Sequence, residues 1–110
     1  MTTRWIIAAA FLIAGATAVP AQAQETSLSI TVKNHRFQPA ELQAPANVPI
    51  TLRVKNLDAA AMEFESVSLR VEKVVTPNGE GIIRLRPLSP GRYNFFDDFH
   101  RETTGVLVVR

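Results

Sequence analysis

Short runs of alternating apolar and polar residues, broken at close intervals by turn-forming residues, constrain this chain more than any other feature. Leu28, Ile30 and Val32 alternate with Ser29, Thr31 and Lys33, and Ile50, Leu52 and Val54 alternate with Thr51, Arg53 and Lys55. A period of two marks a strand with one buried face, because successive side chains point to opposite sides of a sheet. Leu69, Val71, Lys73 and Val75 share one face of a third run. Ile83 and Leu85 interleave with Arg84 and Arg86, and Tyr93 and Phe95 with Asn94 and Phe96. Gly105-Val106-Leu107-Val108-Val109 is almost continuously apolar, the pattern of a strand covered on both sides. Gln38-Pro39, Ala44-Pro45, Asn56-Leu57-Asp58, Pro77-Asn78-Gly79 and Ser89-Pro90-Gly91 supply the turns between them. About seven strands and no helix-length periodic segment predict an all-β fold, a small antiparallel Greek-key β-sandwich. Alanine richness makes residues 58–62 the one candidate helical stretch.

The N-terminus reads differently. Arg4 is followed by an apolar run from Trp5 to Val19, and then by Pro20-Ala21-Gln22-Ala23, small residues at the positions a signal peptidase reads. The run is about 15 residues, short of the ~20 a permanent bilayer span requires. Residues 1–23 are therefore expected to be a helical signal peptide, with an uncleaved anchor as the alternative, and residues 24–110 the folded domain. No twin-arginine pair is present, which points to general secretion. Removing 23 of the 110 residues leaves 87, and losing Arg4 lowers the formal charge from +2 to +1. The expectation is a periplasmic protein that does not insert in the membrane once the signal is cleaved.

Composition excludes several function classes. Twelve Lys+Arg against ten Asp+Glu is too balanced for a nucleic-acid binder. The absence of cysteine rules out disulfides, thiolate zinc sites, thioether-linked haem and a cysteine nucleophile. A disulfide-free domain this small buries only ~60–65% of its unfolded surface, so a metal or partner protein is a reasonable source of further stability.

Chemistry-bearing residues concentrate in two distant segments, 56–66 and 91–100. They bring Glu63, Glu65, Asp97, Asp98, His100 and Met62 into an otherwise plain β-domain. Adjacent acids repel and raise one another's pKa unless a cation neutralises them. Oxygen and imidazole donors suit iron, manganese or Cu(II) better than Cu(I). The same residues also read as a solvated acidic turn with a surface histidine. No nucleophile–base–acid set and no glycine-rich phosphate loop occur, so the chain by itself is not expected to be an enzyme.

Gly91-x-Tyr93-x-Phe95-Phe96-Asp97-x-x-His100 resembles the end of a cupredoxin, in which cysteine and histidine hold copper. Asp97 stands at the cysteine position and His100 at the histidine position. The axial methionine expected near Gly105 is missing, and Val54-Lys55-Asn56 leads to Met62-Glu63 rather than to the first histidine. A blue-copper site needs a Cu–thiolate bond, which this chain cannot form.

Phe37-x-Pro39, Pro45-Ala46, Glu63-Phe64-Glu65-Ser66, Glu72-Lys73, Pro90-Gly91-x-Tyr93 and Asp98-Phe99-His100 are similar to the EfeO-type cupredoxin-like domain. That resemblance spans residues 28–110. It implies a periplasmic component of ferrous-iron uptake that binds or helps oxidise iron, with iron and/or copper as the metal. Its partners would be an iron permease, a periplasmic iron-binding protein and a ferredoxin-like membrane protein. Glu63 begins the subgroup motif, and Glu65 shares its face if the segment is extended, with Phe64 turned into the sandwich. Met62 reads either as a soft ligand or as packing. Asp97 and Asp98 cannot both face one site on a regular strand. His35 reads as a second metal site or a turn histidine. Glu72-Lys73 suggests a cross-sheet ion pair, and Lys73 on an apolar face suggests an open or docking surface. Arg84, Arg86 and Arg92 read as a basic patch or as the solvent side of strands. A copper carrier or electron-transfer protein, and a metal-free interaction module on the same scaffold, are the alternative functions.

Overall fold

The computed structural model describes residues 25–110, so the expected signal segment lies outside the described residues. Each alternating run becomes a strand, because a half-apolar segment can satisfy its backbone and bury one face at once only in a sheet. The described residues form β1 (Thr26–Lys33), β2 (Arg36–Gln38), β3 (Glu41–Ala44), β4 (Ile50–Asn56), β5 (Met62–Ser66), β6 (Val71–Val75), β7 (Glu80–Leu85), β8 (Gly91–Asp97) and β9 (His100–Val109). One sheet runs β2-β1-β4-β7 and the other β3-β9-β8-β5-β6.

The expected all-β sandwich is the fold, with one difference in strand direction. Both sheets are mixed: β1 pairs parallel with β4, and β3 pairs parallel with β9. The chain between β1 and β4 explains this. β2 folds back on β1, β3 crosses to the second sheet, and β4 returns alongside β1 in the same sense. Alternation specifies which face is buried, not which way a neighbour runs.

Residues 58–62 are not helical, contrary to the composition-based expectation. The buried Asn56 amide donates to the carbonyls of Ala60 (2.8 Å), Thr76 (3.2 Å) and Val75 (3.3 Å), while its Oδ1 accepts from the Asp58 N–H (3.0 Å). These bonds hold residues 58–61 as a loop against β6, and Met62 opens β5. The run starting at Leu69 becomes strand only from Val71, because Arg70 turns with φ 54°. Lys73 is exposed on the edge strand β6, so the face it shares with Val75 is open there. Arg92 lies 3.7 Å from Glu41, and Arg84 and Arg86 are exposed on or beside β7. No Glu72–Lys73 ion pair forms among the described residues.

Three phenylalanines knit the two sheets. Phe37 of β2 meets Phe95 of β8 edge-on at 4.9 Å between centroids, and Phe95 stacks on Phe64 of β5 at 4.8 Å. Each such pair adds about 0.5–1.5 kcal/mol beyond the area it buries. Leu107, Val108 and Val109 of β9 are all buried, as the continuous apolar run predicts. Gly105 faces Phe95 so closely that a Cβ would sit 2.3 Å from its Cε2 and 3.0 Å from the Ala40 carbonyl oxygen.

Gly105→Ala is therefore expected to destabilise the fold by about 1–3 kcal/mol, the usual cost of overpacking a core. It would appear as a lower urea midpoint with an unchanged slope, and an unchanged midpoint would contradict this packing.

Candidate functional site

The centre of the site is a buried carboxylate. Asp97 ends β8 with 0% exposure. Its Oδ1 accepts the N–H groups of Glu63 and Phe99, both at 3.0 Å, and its Oδ2 lies 2.8 Å from His100 Nδ1. A buried carboxylate is tolerable only with such donors around it. Asp97 pairs with His100 across a tight turn carrying Asp98 and Phe99, whereas Phe96 pairs with Thr104. Arg101, Glu102 and Thr103 thus bulge out of register, which is how a sheet re-aims side chains at its end.

The bulge reaches across to the β1–β2 turn. Thr103 Oγ1 donates to the His35 carbonyl at 2.6 Å. Asn34 and His35 both adopt left-handed backbone, with φ of 53° and 57°. Their N–H groups donate to the two carboxylate oxygens of Asp58, at 2.6 and 3.0 Å. Those two N–H bonds and the neighbouring imidazoles hold the Asp58 carboxyl below its ordinary range, with the His35 N–H the largest contributor. As a result the His35 and His100 rings face each other with centroids 4.1 Å apart.

A second cluster occupies the outer face of the five-stranded sheet. Met62, Phe64 and Ser66 point inward from β5, so Glu63 and Glu65 point outward together. Glu65 pairs directly with Glu72 of β6. One carboxylate oxygen from each of Glu63, Glu65 and Glu72 falls within 4.8 Å of the others. Partial burial, then the charge of Asp98, then that of Glu72 raise the carboxyl pKa of both Glu63 and Glu65 above its ordinary range. Asp98 stands at the edge of this face. Its N–H donates to the Glu63 carbonyl at 2.9 Å, and Arg101 Nη2 lies 2.8 Å from its Oδ1 without aiming an N–H along a hydrogen-bond line.

The six residues singled out in the sequence therefore separate. Glu63 and Glu65 lie together with Asp98 nearby, Asp97 and His100 lie together at the strand end, and Met62 belongs to neither group. Its side chain is 1% exposed inside the apolar core, so it packs rather than offering a sulfur. Asp97 and Asp98 part because β8 ends at Asp97: one is sealed inside as the last strand residue and the other sits on the turn. Glu72 completes the outer cluster through antiparallel pairing across the β5–β6 turn, a signal legible only once both segments are known to be strands. Asp58 carries no local sign of its role as a cap on a turn more than twenty residues away.

The donor set also tests thiolate copper, the centre implied by the resemblance of residues 91–100 to the end of a cupredoxin. Both Asp97 oxygens are engaged, no cysteine exists, Met62 is in the core, and Gly105 stands near the expected axial position. A blue-copper centre does not fit these residues.

A sequence profile described as a cupredoxin-like domain matches residues 4–109. An uncharacterized protein of Rickettsia prowazekii (strain Madrid E) is 41% identical over 83 residues, which are 74% of this chain and 66%, just under two thirds, of that protein. Among solved structures, the metal-binding domain of the Streptococcus pneumoniae D39 Cu(I)-exporting P-type ATPase, determined with Cu(I), superimposes with a TM-score of 0.68 at 15% identity, covering 81% of this chain and 98% of that one. Reduced auracyanin from Roseiflexus castenholzii gives a TM-score of 0.65 at 18% identity over 81% and 99%. These structural likenesses establish the fold.

Raised carboxyl pKa values carry a sign for stability. A folded-state pKa above the unfolded value of 4.5 means that ionised Glu63 and Glu65 oppose folding, and the penalty is relieved as pH falls through the raised values. Without added metal, a Glu63→Gln/Glu65→Gln variant is expected to melt above the parent at pH 7, with the gap closing by about pH 4 as all these carboxyls protonate. Parallel melting curves at both pH values would show that the acids do not repel.

Proposed function

The chain belongs to the cupredoxin-like domain family, and on that premise we propose that it is a periplasmic metal-binding component of a high-affinity ferrous-iron uptake system. It binds iron on the outer face of its five-stranded sheet and passes it to a permease, beside a periplasmic iron-binding partner. Export by a cleavable signal peptide is part of the same reading. It rests on the N-terminal pattern of residues 1–23 and on the sequence resemblance to EfeO-type domains.

One observation carries the choice of site and metal. Three glutamate carboxylates converge within 4.8 Å, and two have pKa values raised by partial burial and by neighbouring negative charge. A hard cation relieves that repulsion, and oxygen donors suit a hard cation. Carboxylates on an open sheet face, with few fixed ligands, favour release to a partner over storage. The Cu(I)-bound relative supports a copper reading, but the residues at the thiolate position do not supply soft donors.

The test is a calorimetric titration of the full chain with Fe(II) under argon, alongside Mn(II). Glu63→Gln and Glu65→Gln are each expected to weaken iron binding at least ~10-fold, since even outer-shell ligand changes commonly cost that much. Far-ultraviolet spectra of both variants should stay unchanged. Equal affinity in the parent and both variants would overturn the site.

A further inference from the structure

We propose that the cleft between the two free sheet edges, β6 and β7, binds an extended acidic segment of a partner protein, read by Arg70, Arg84 and Arg86. The site shares no residue with the outer-face carboxylates and stands whether or not they bind iron.

Each of these strands pairs on one side only, β6 with β5 and β7 with β4. The two edges close on each other near the turn that joins them, where Lys73 Cγ lies 3.5 Å from the position a Cβ would take on Gly81. Toward the other end they part around a cleft of about 510 Å³. Leu69, Val71 and Leu88, half-buried against the core, form its apolar floor, and Arg70, Arg84 and Arg86 are exposed around it. No acid is among the cleft's lining residues. The arginine ion pairs of the described residues are made elsewhere, Arg53 with Glu80, Arg92 with Glu41 and Arg101 with Asp98. Three uncompensated guanidinium groups, in a chain whose formal charge is only +2, make the cleft a local focus of positive potential.

An extended chain fits this cleft better than a compact anion does. Arg84 and Arg86 are two positions apart, and Arg86 precedes Pro87, which favours extended backbone. Their side chains therefore share one side of the strand about 6.5–7 Å apart, the spacing of alternate residues along any β-strand. Leu85 between them is buried on the opposite side. A partner strand with Asp or Glu at every second position meets both arginines in step and turns its intervening apolar residues toward the leucine and valine floor. Guanidinium forks suit this task, because two N–H groups can meet both oxygens of one carboxylate. Arg70 stands on the opposite wall, at the turn before β6. That turn is held by the Arg70 N–H on the Val67 carbonyl and the Leu69 N–H on Ser66 Oγ, both at 3.2 Å. Strand addition along the free edge of β7 supplies main-chain bonds, while the arginines supply the choice of partner. A second copy of this chain is disfavoured at the same edge, since it would bring Arg84 and Arg86 against their own counterparts.

The experiment is fluorescence anisotropy of a labelled octapeptide of alternating glutamate and valine, titrated with the full chain. Saturable binding that weakens with added salt is expected, and an alternating glutamine–valine peptide should not bind. Arg84→Gln/Arg86→Gln should weaken binding at least ~10-fold, since arginine anchors dominate contacts of this kind. Arg84→Lys/Arg86→Lys keeps the charge but loses the fork, and should fall between that variant and the parent. Arg53→Gln and Glu63→Gln/Glu65→Gln, which lie outside the cleft, should bind as the parent does. Absence of saturable binding, parental affinity in Arg84→Gln/Arg86→Gln, or an equal loss in Arg53→Gln would overturn the site. Displacement of the peptide by inorganic phosphate at the peptide's own concentration, or by phosphatidylglycerol vesicles, would overturn an acidic segment as its occupant.

Discussion

The arrangement of this molecule hangs on the carboxylate of Asp97. It is fully buried, and three donors meet it: the Glu63 and Phe99 N–H groups and His100 Nδ1. A charge in that position would be prohibitive without them. With them it acts as a node that ties the start of β5 to the β8–β9 turn and fixes the orientation of His100. It also decides how the acids divide. Because Asp97 is spent inward, Asp98 is left at the turn, where its charge acts on Glu63 and Glu65.

The core supports that node from one side and the outer sheet face loads it from the other. Phe37, Phe64 and Phe95 bridge the sheets directly behind β5 and β8, the two strands that carry most of the candidate residues. A domain of this size without disulfides has little stability to spare. Ionised Glu63 and Glu65, whose carboxyl pKa values are raised, subtract from it, and on the proposed reading a bound cation would return that stability. The surface ion pair Arg53–Glu80, at 2.7 Å between exposed groups, contributes little by comparison.

Much of the arrangement of the candidate residues was legible in residue order. Glu63-Phe64-Glu65 in an extended segment must put both acids on one face and the phenylalanine on the other, and it does. Asp97 and Asp98 also diverge, but through the end of β8 between them and not through strand alternation. Met62 was ambiguous for a physical reason: a thioether serves equally well as core filling and as a soft ligand, and only its burial decides. Glu72 could not be joined to Glu63 and Glu65 without the β5–β6 register. His35 could not be joined to His100 because the link runs through Thr103, 68 positions along the chain, and through a bulge that no local pattern announces.

By itself the sequence determined the all-β class, the faces of the strands, the lack of a thiolate metal site and the acidic, imidazole-bearing character of segments 56–66 and 91–100. These follow from side-chain period and donor chemistry, which are local. Only the tertiary structure decided the parallel pairings of β1 with β4 and of β3 with β9, the loop conformation of residues 58–61, and the division of the candidate ligands into two groups. Strand direction, register and bulges depend on contacts between segments far apart in the chain, and a period of two is silent about which neighbour a strand will choose.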